Sequence, residues 1–482
     1  MNKKTFLGLL LFSFMQHSAF ASMKKAERYY NKDQKKYLEK IVEELMKSKY
    51  FFSASLFAKE ILISRDKLPT YFESRLEKLI LKTGTQSFLP LSNNVLEKHK
   101  SPSLSLVLGI KYFQKARYQD AIRVLNRIPE NHRFSPEAFM MKASAHNLLK
   151  QHEKSLNVYQ QCIESSSNFE EKAKHKKLKR YFAIIRENCH IHVARAYYTQ
   201  KDYEKAMELY EKIPKTSYRW PYIILEKAWT HYYLKDYNRT LGSLVTYKSP
   251  LLSSYFFPEA EILNALSYYR MCLWNDSLKK IEEFYKVYKT RSDELKGLLL
   301  QHKTSQTFFL KLLFTPLAQT EKANPFIRNL VTQVKKQVKF SVDVVNYKKA
   351  QHELKFIKSL KKGAFQRELL SMIKTEVSWR AKHLNYYLKK NMFHFLNEIH
   401  RFSYEMFNIK LEIFSQQRNL VYNNKRLVSY RNRGSDKNVN RQDHQQFYDF
   451  RGEFWGDELG DYSFGLKSNC KTIDKKKRKA RK

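Results

Sequence analysis

Glycine and proline are scarce, at 11 each in 482 residues. An all-β sandwich or barrel needs turn residues at every hairpin, so this sequence excludes that class. Cysteine is limited to four residues and no CxxC pair occurs, which removes zinc ribbons and thioredoxin-like redox motifs. No phosphate loop, no HExxH and no GxSxG is present, so the common nucleotide, zinc-protease and serine-hydrolase signatures are missing as well. Acidic residues are also short: 47 Asp plus Glu stand against 90 Lys plus Arg, a net charge of +43. Such an excess suits an acidic partner or anionic surface, and lysine-rich coding bias accounts for it equally well.

What is present is apolar and helix-forming. Hydrophobic residues make up 43% and aromatics 15% of the chain, enough for a large core or several domains. Abundant Leu, Lys, Glu and Tyr point to an all-α protein.

The N-terminus reads as an export signal. Lys3 and Lys4 precede the apolar run Thr5 to Met15, and Ala19-Phe20-Ala21 supplies the small residues that signal peptidase reads, with cleavage expected after Ala21. The run is about eleven residues, short of the roughly 20 that a membrane span needs, and no later stretch qualifies. Ser22 follows the expected cut, so no lipoprotein thiol is available there. Residues 1–21 are therefore read as a signal peptide, and the mature chain as a periplasmic protein that does not span the membrane, with association at the outer membrane. Removing Lys3 and Lys4 leaves 88 basic and 47 acidic residues, or +41. In that compartment anionic lipid, lipopolysaccharide and cell-wall polymer are more accessible partners for the charge than nucleic acid is.

An oxidising compartment would let Cys162, Cys189, Cys272 and Cys470 pair in three ways. Sequence alone does not choose. Cys162 with Cys189 would join successive helices, and Cys272 with Cys470 would fasten the C-terminal tail to the rest. Free, buried thiols are the alternative.

Residues 101–290 repeat themselves. A shift of 34 places Gly109 on Ala143, Ala121 on Ser155 and Leu125 on Tyr159. The frame recurs in "VARAYYTQKDYEKAMELYEKIP" at Ala194, Tyr203, Ala206 and Tyr210, then 34 residues later at Ala228, Tyr237, Thr240 and Leu244. A fifth copy uses Ala265, Trp274, Ser277 and Ile281. These residues resemble the tetratricopeptide repeat (TPR), in which small residues let helix A and helix B cross closely and an aromatic fills the wedge. The resemblance implies an α-solenoid of about five helical hairpins that binds peptides or helices along a groove. Tyr197, His231 and Tyr268 on the helix A faces are candidate lining residues, and core packing is their other reading. A 17-residue insertion containing "EEKAKHKKLKRY" should lengthen one hairpin or extend a loop. Residues 22–100 read as an N-terminal helical region, a degenerate repeat or cap, with Ala54 and Ala58 one turn apart.

Residues 291–433 should form long helices. From Phe326 to Arg433 there is no proline and one glycine, Gly363, and 23 basic residues stand against 7 acidic ones. Leu384, Leu388, Met392, Phe395, Ile399, Phe402, Met406, Ile409 and Ile413 form a heptad-like seam expected to fold back on a neighbouring helix. Residues 434–482 break the pattern as an irregular tail. "FRGEFWGDELGDYSFGLKSNC" carries too much apolar area to stay exposed and should dock, on this chain or on another protein, with Phe454 and Trp455 as candidate contacts. Lys475 to Lys482, seven basic residues in eight, reads as a basic tail.

"FFPEAEILNALSYYRMCLWNDSLKKIEEF" and "GEFWGDELGDY" are similar to envelope TPR proteins associated with bacterial adventurous gliding motility. That resemblance implies a periplasmic, non-catalytic scaffold that holds protein partners in a cell-envelope complex. Two alternatives are a wall-remodelling protein targeted by its repeats and a binder of anionic surfaces through bulk charge. No catalytic residue, cofactor or metal site is expected. Cys189, His190 and His192 put only two ligands on one helix face, and Asp457, Glu458 and Asp461 lack the spacing of a calcium loop.

Overall fold

A computed structural model describes residues 3–315, 324–422 and 452–470, with side chains from residue 21 onward. The run Lys475 to Lys482 lies outside these residues, as do the side chains of the signal segment up to Phe20. Among the described residues there are eighteen α-helices and no strand, an all-α architecture. No described helix is long and apolar enough to cross a membrane.

The chain opens with α1 (Lys3–Lys47), α2 (Phe51–Ser64), α3 (Phe72–Thr83) and α4 (Asn93–Lys98). Five helix pairs follow. They are α5 (Pro102–Gln114) with α6 (Tyr118–Leu125), α7 (Ser135–Leu148) with α8 (His152–Lys172), α9 (Lys176–Thr199) with α10 (Tyr203–Glu211), α11 (Trp220–Tyr233) with α12 (Tyr237–Val245), and α13 (Pro258–Arg270) with α14 (Trp274–Gln301). Then come α15 (Phe308–Phe314), α16 (Pro325–Lys336), α17 (Val338–Ser359) and α18 (Ala364–Tyr422).

The repeat is visible in the backbone. Each of the five pairs turns through one left-handed residue, Ala116, Lys150, Lys201, Lys235 or Cys272, with φ of 56, 59, 67, 64 and 56°. In every copy the next amide donates to the carbonyl five residues back, Arg117 to Tyr112, Gln151 to His146, Asp202 to Tyr197, Asp236 to His231 and Leu273 to Tyr268, at 2.9–3.0 Å. This Schellman closure satisfies carbonyls that the end of helix A would otherwise leave open. The same turn joins α1 to α2, where Lys49 has φ 65° and the Tyr50 amide donates to Leu45 O at 3.0 Å. The N-terminal region thus contains a sixth hairpin, with Ala54 five residues after the turn, where the copies carry Ala121, Ser155, Ala206, Thr240 and Ser277. The two serines are served locally: Ser155 Oγ donates to Ala143 O and Ser277 Oγ to Ala265 O, both at 2.9 Å. The insertion lengthens the hairpin of α8 and α9, and a disulfide between Cys162 and Cys189 ties the two helices, with Cα atoms 6.4 Å apart. With its sulfur bonded to Cys162, Cys189 is no thiolate ligand for a metal.

Two compact units emerge, residues 1–192 with 338–384, and residues 193–337 with 385–482. The linear division into a 101–290 array and a 291–433 helical region is therefore not the division into compact bodies. The reason is long-range packing of the late helices. In the first unit Ala350, Ile357, Phe365, Leu369 and Ile373 from α17 and the start of α18 share a core with residues of α1 to α7. In the second, the seam from Leu388 to Ile413 is buried. It lies against α14 and its approach: Phe395 meets Phe256 edge-on at 5.7 Å, Tyr285 donates to Ser403 O at 2.7 Å, and Ser292 Oγ lies 3.0 Å from His400 Nε2. The expected fold-back on a neighbouring helix is thus intramolecular.

In the first unit, buried Glu353 of α17 accepts from the Phe52 amide at 3.0 Å and from the Ser53 amide and hydroxyl at 2.9 and 3.0 Å, and so caps the N-terminus of α2 from 300 residues away. Burial pushes its carboxyl up to about 7 against these donors, which favour the charged form. The folded value lies above the unfolded one, so the folded state holds the extra proton between them. The stabilisation is complete below about pH 4.5 and is lost as pH rises through about 7. We expect the first unit to lose roughly 3 kcal/mol across that interval. In Glu353→Gln that part of the pH dependence should vanish, as read by denaturant midpoints at successive pH values.

Candidate functional site

The described C-terminal residues lie on α11, α12 and the turn between the two helices of the fifth pair, all within the second unit. The contact begins in side-chain chemistry. Leu459 packs with Trp220, Ile224 and Leu252, while Leu466 packs with Leu241, Tyr268, Met271 and Leu273. Between and just beyond these apolar anchors the chain leaves a turn that ends at Asp461, and its backbone is held by side chains and carbonyls of the repeats. The Asn238 carboxamide accepts from the Leu466 amide at 2.9 Å and donates to the Leu466 carbonyl at 3.2 Å, while the Asn238 carbonyl accepts from the Phe464 amide at 3.1 Å. The Gly460 amide donates to Thr246 Oγ1 at 2.9 Å, and the Asn469 amide to Met271 O at 2.9 Å. These bonds read peptide backbone and not side-chain identity.

Two glycines make the approach possible. A Cβ on Gly242 of α12 would lie 1.7 Å from Tyr462 O, so the segment runs where only a bare helix surface leaves room. Gly460 has φ 93° and lies under the Trp220 indole, with a hypothetical Cβ 3.1 Å from Cζ2. Charge adds orientation: Asp461 pairs with Lys215 at 2.8 Å and faces Lys227 at 3.7 Å, and Lys215 also donates to Asp457 O. Both ion pairs are partly exposed and therefore count for placement more than for affinity. The end is covalent. Cys470 bonds Cys272, the left-handed residue of the fifth pair's turn, across 198 residues of sequence.

A separate aromatic face continues along the third and fourth pairs. Tyr203 stacks on Tyr233 at 5.0 Å, Tyr198 meets both, and Trp229 and Tyr232 extend the cluster. Trp229 Nε1 donates to Glu259 at 2.9 Å, and on the same helix Glu226 accepts two bonds from Arg195 at 2.9 and 2.6 Å and one from Tyr210 at 2.8 Å. Burial raises the Tyr198 and Tyr210 phenols, so both stay neutral donors. Tyr233 is the exposed tip of this face.

Tyr268 and Phe454 both take part in the docking but at different ends of it, Tyr268 buried beside Leu466 and Phe454, a residue of the segment itself, half-buried beside Trp220 and Leu459. Trp455 is 65% exposed. Tyr197 is half-buried under the Lys205 ammonium at 5.4 Å, away from the segment. His231 is buried, and burial, with help from the Lys227 and Arg239 charges, pushes it down to about 3. It is neutral at physiological pH. Asn238, Gly242, Thr246 and Lys215 are site residues that sequence reasoning did not single out. Gly242 had a signal: a glycine inside the helical stretch "YNRTLGSLV" costs about 1 kcal/mol relative to alanine and commonly marks a close approach. Among the described residues no cluster of three His, Cys, Asp or Glu could hold a metal ion.

No protein-family model matches the chain, and no curated protein matches it. Solved structures similar to it include the apo form of RapI, with 13% identity and a TM-score of 0.35 over 77% of this chain and 99% of that one. The Rap conjugation gene regulator of the plasmid pLS20, in complex with the Phr* peptide, has 13% identity and a TM-score of 0.28 over 77% and 97%. The Naa15/Naa10 assembly bound to HypK-THB has 16% identity and a TM-score of 0.27 over 84% and 62%. The helical-repeat assignment rests on the chain's own turns and register.

Proposed function

We propose that this chain is a non-catalytic, exported scaffold whose repeats hold protein partners in a bacterial cell-envelope complex, with a role in motility. One observation carries the binding part of the reading: the repeat surface already holds a peptide segment, its own C-terminal one, through bonds between its backbone and the side chains of Asn238 and Thr246. A surface that grips backbone and adds apolar anchors is suited to peptide ligands of varied sequence. The aromatic face from Tyr198 to Tyr233 offers rigid side chains of the kind that dominate interface energetics. Export is supported by the basic, apolar and small-residue pattern of residues 1–21, and by the pairing of all four cysteines, which suits an oxidising compartment.

The test is capture from envelope extracts by the immobilised full chain, with a Trp229→Ala/Tyr233→Ala variant beside it. The reading expects defined envelope proteins on the native chain, reduced at least about tenfold on the variant, in line with a loss above 1 kcal/mol at a hot-spot aromatic. Equal capture by both, or degradation of cell-wall polymer by the purified chain, contradicts it.

A further inference from the structure

The helix α18 has a second apolar seam that nothing described covers. Its buried seam runs through Phe402, Met406, Ile409 and Ile413. Positions 404, 407, 411, 414, 418 and 421 step by 3, 4, 3, 4 and 3 residues, which is again a coiled-coil spacing, displaced by about 140° around the helix. They hold Tyr404, Phe407, Leu411, Phe414, Arg418 and Val421, and the five apolar ones are 47–67% exposed, with Tyr422 beside them at 80%. Isolated exposed apolar residues are ordinary, but a continuous stripe in heptad register is an interface pattern.

We infer that this stripe is a self-association surface, on which α18 of a second copy packs antiparallel about a two-fold axis between Leu411 and Phe414. The sequence is self-complementary in that register. Tyr404 faces Val421, Leu411 faces Phe414, and Arg418, the one charged residue in the stripe, faces the ring of Phe407 in a cation–π contact. The flanking positions bring Lys410 to Gln417, Asn408 to Ser415 and Arg401 to Tyr422, so no like charges meet. Parallel pairing would instead set Arg418 on Arg418. The area is also sufficient: the exposed parts of these side chains amount to roughly 700 Å² per copy, close to the 800 Å² or so that each partner contributes to a stable interface. Because each copy is strongly basic, association should strengthen as salt screens the repulsion. Attachment to an anionic lipid surface through the same face would weaken with salt.

The experiment is sedimentation equilibrium of the mature full chain at about 0.1 M and about 0.5 M salt, with Leu411→Glu as the disrupting variant and circular dichroism as the check on folding. The inference expects a dimer that tightens with salt and is weakened roughly 100-fold or more by the variant, since the two-fold axis places the new carboxylate in the interface twice. A second measurement fixes the register: mixing Leu411→Cys chains with Phe414→Cys chains should give a 411–414 crosslink in preference to 411–411. A monomer at both salts, a dimer indifferent to Leu411→Glu, a dominant 411–411 crosslink, or a monomer that binds anionic vesicles through this face overturns the inference. The outcome is independent of what the repeats bind.

Discussion

Gly242→Leu should strip the C-terminal segment from the repeats while α12 remains a helix. The added side chain would begin 1.7 Å from Tyr462 O and 2.2 Å from Tyr462 C, and these are backbone atoms that cannot turn aside. Leucine is favoured over glycine in a helix interior by close to 1 kcal/mol, so the repeat itself gains. The cost falls on the docked segment, and overpacking of this kind is worth about 3 kcal/mol. Opening of the segment should then rise roughly 100-fold, visible as faster hydrogen exchange at the Gly460, Phe464 and Leu466 amides, with the α12 amides unchanged. The Cys272–Cys470 bond would keep the released segment tethered. Unchanged protection at those three amides would mean that Gly242 does not control docking.

Arg380→Met should be the most damaging single change in the first unit. Arg380 is 3% exposed and donates through Nε to Glu376 at 2.9 Å, and through Nη2 to Thr83 O at 3.1 Å and to Ser87 Oγ at 2.7 Å. Ser87 in turn donates to the same Glu376 oxygen at 3.3 Å, and the partly buried Lys59 lies 3.9 Å from the other. Burial lowers the Lys59 pKa, which makes it a poor substitute partner. Removing the guanidinium strands a buried carboxylate and opens the Thr83 carbonyl, a loss of about 3–5 kcal/mol. Replacing both charges, Arg380→Met with Glu376→Gln, should recover most of it, because the pair itself adds little net stability. Denaturant midpoints of the unit containing α3 and α17 decide the matter: equal losses in the single and double variants would show that something other than the stranded charge is responsible.

The repeat was legible because its determinants are local. Small residues at Gly109, Ala143, Ala194, Ala228 and Ala265, each followed by an aromatic or leucine-rich helix B, recur in one 34-residue frame that is interrupted by the insertion before Ala194 and stretched by three residues before Ala265, and they need no tertiary information. The left-handed turn residues were not legible, because alanine, lysine and cysteine there have no intrinsic preference for positive φ. The Schellman closure of helix A imposes it. The buried seam from Leu384 to Ile413 was readable from its spacing, and so was the need of the apolar tail to dock. Which helices receive α17 was not, since Glu353 finds the start of α2 across 300 residues and no periodicity encodes that meeting. Asn238 was invisible for a similar reason: a carboxamide in the first turn of a helix looks like ordinary surface until the Leu466 backbone lies across it.

Charge was the least informative feature. It permitted an anionic partner without locating one, whereas the proposed binding of peptide and protein ligands rests on two short stretches of uncharged geometry, the Asn238 clamp and the aromatic face ending at Tyr233. The most direct measurement of that idea is photocrosslinking in living producer cells with the reactive group at position 233, followed by identification of adducts. The account predicts crosslinks to one or a few exported envelope proteins, carried by a chain that begins at Ser22. No protein adduct, or adducts on cytosolic proteins with residues 1–21 still attached, would contradict it.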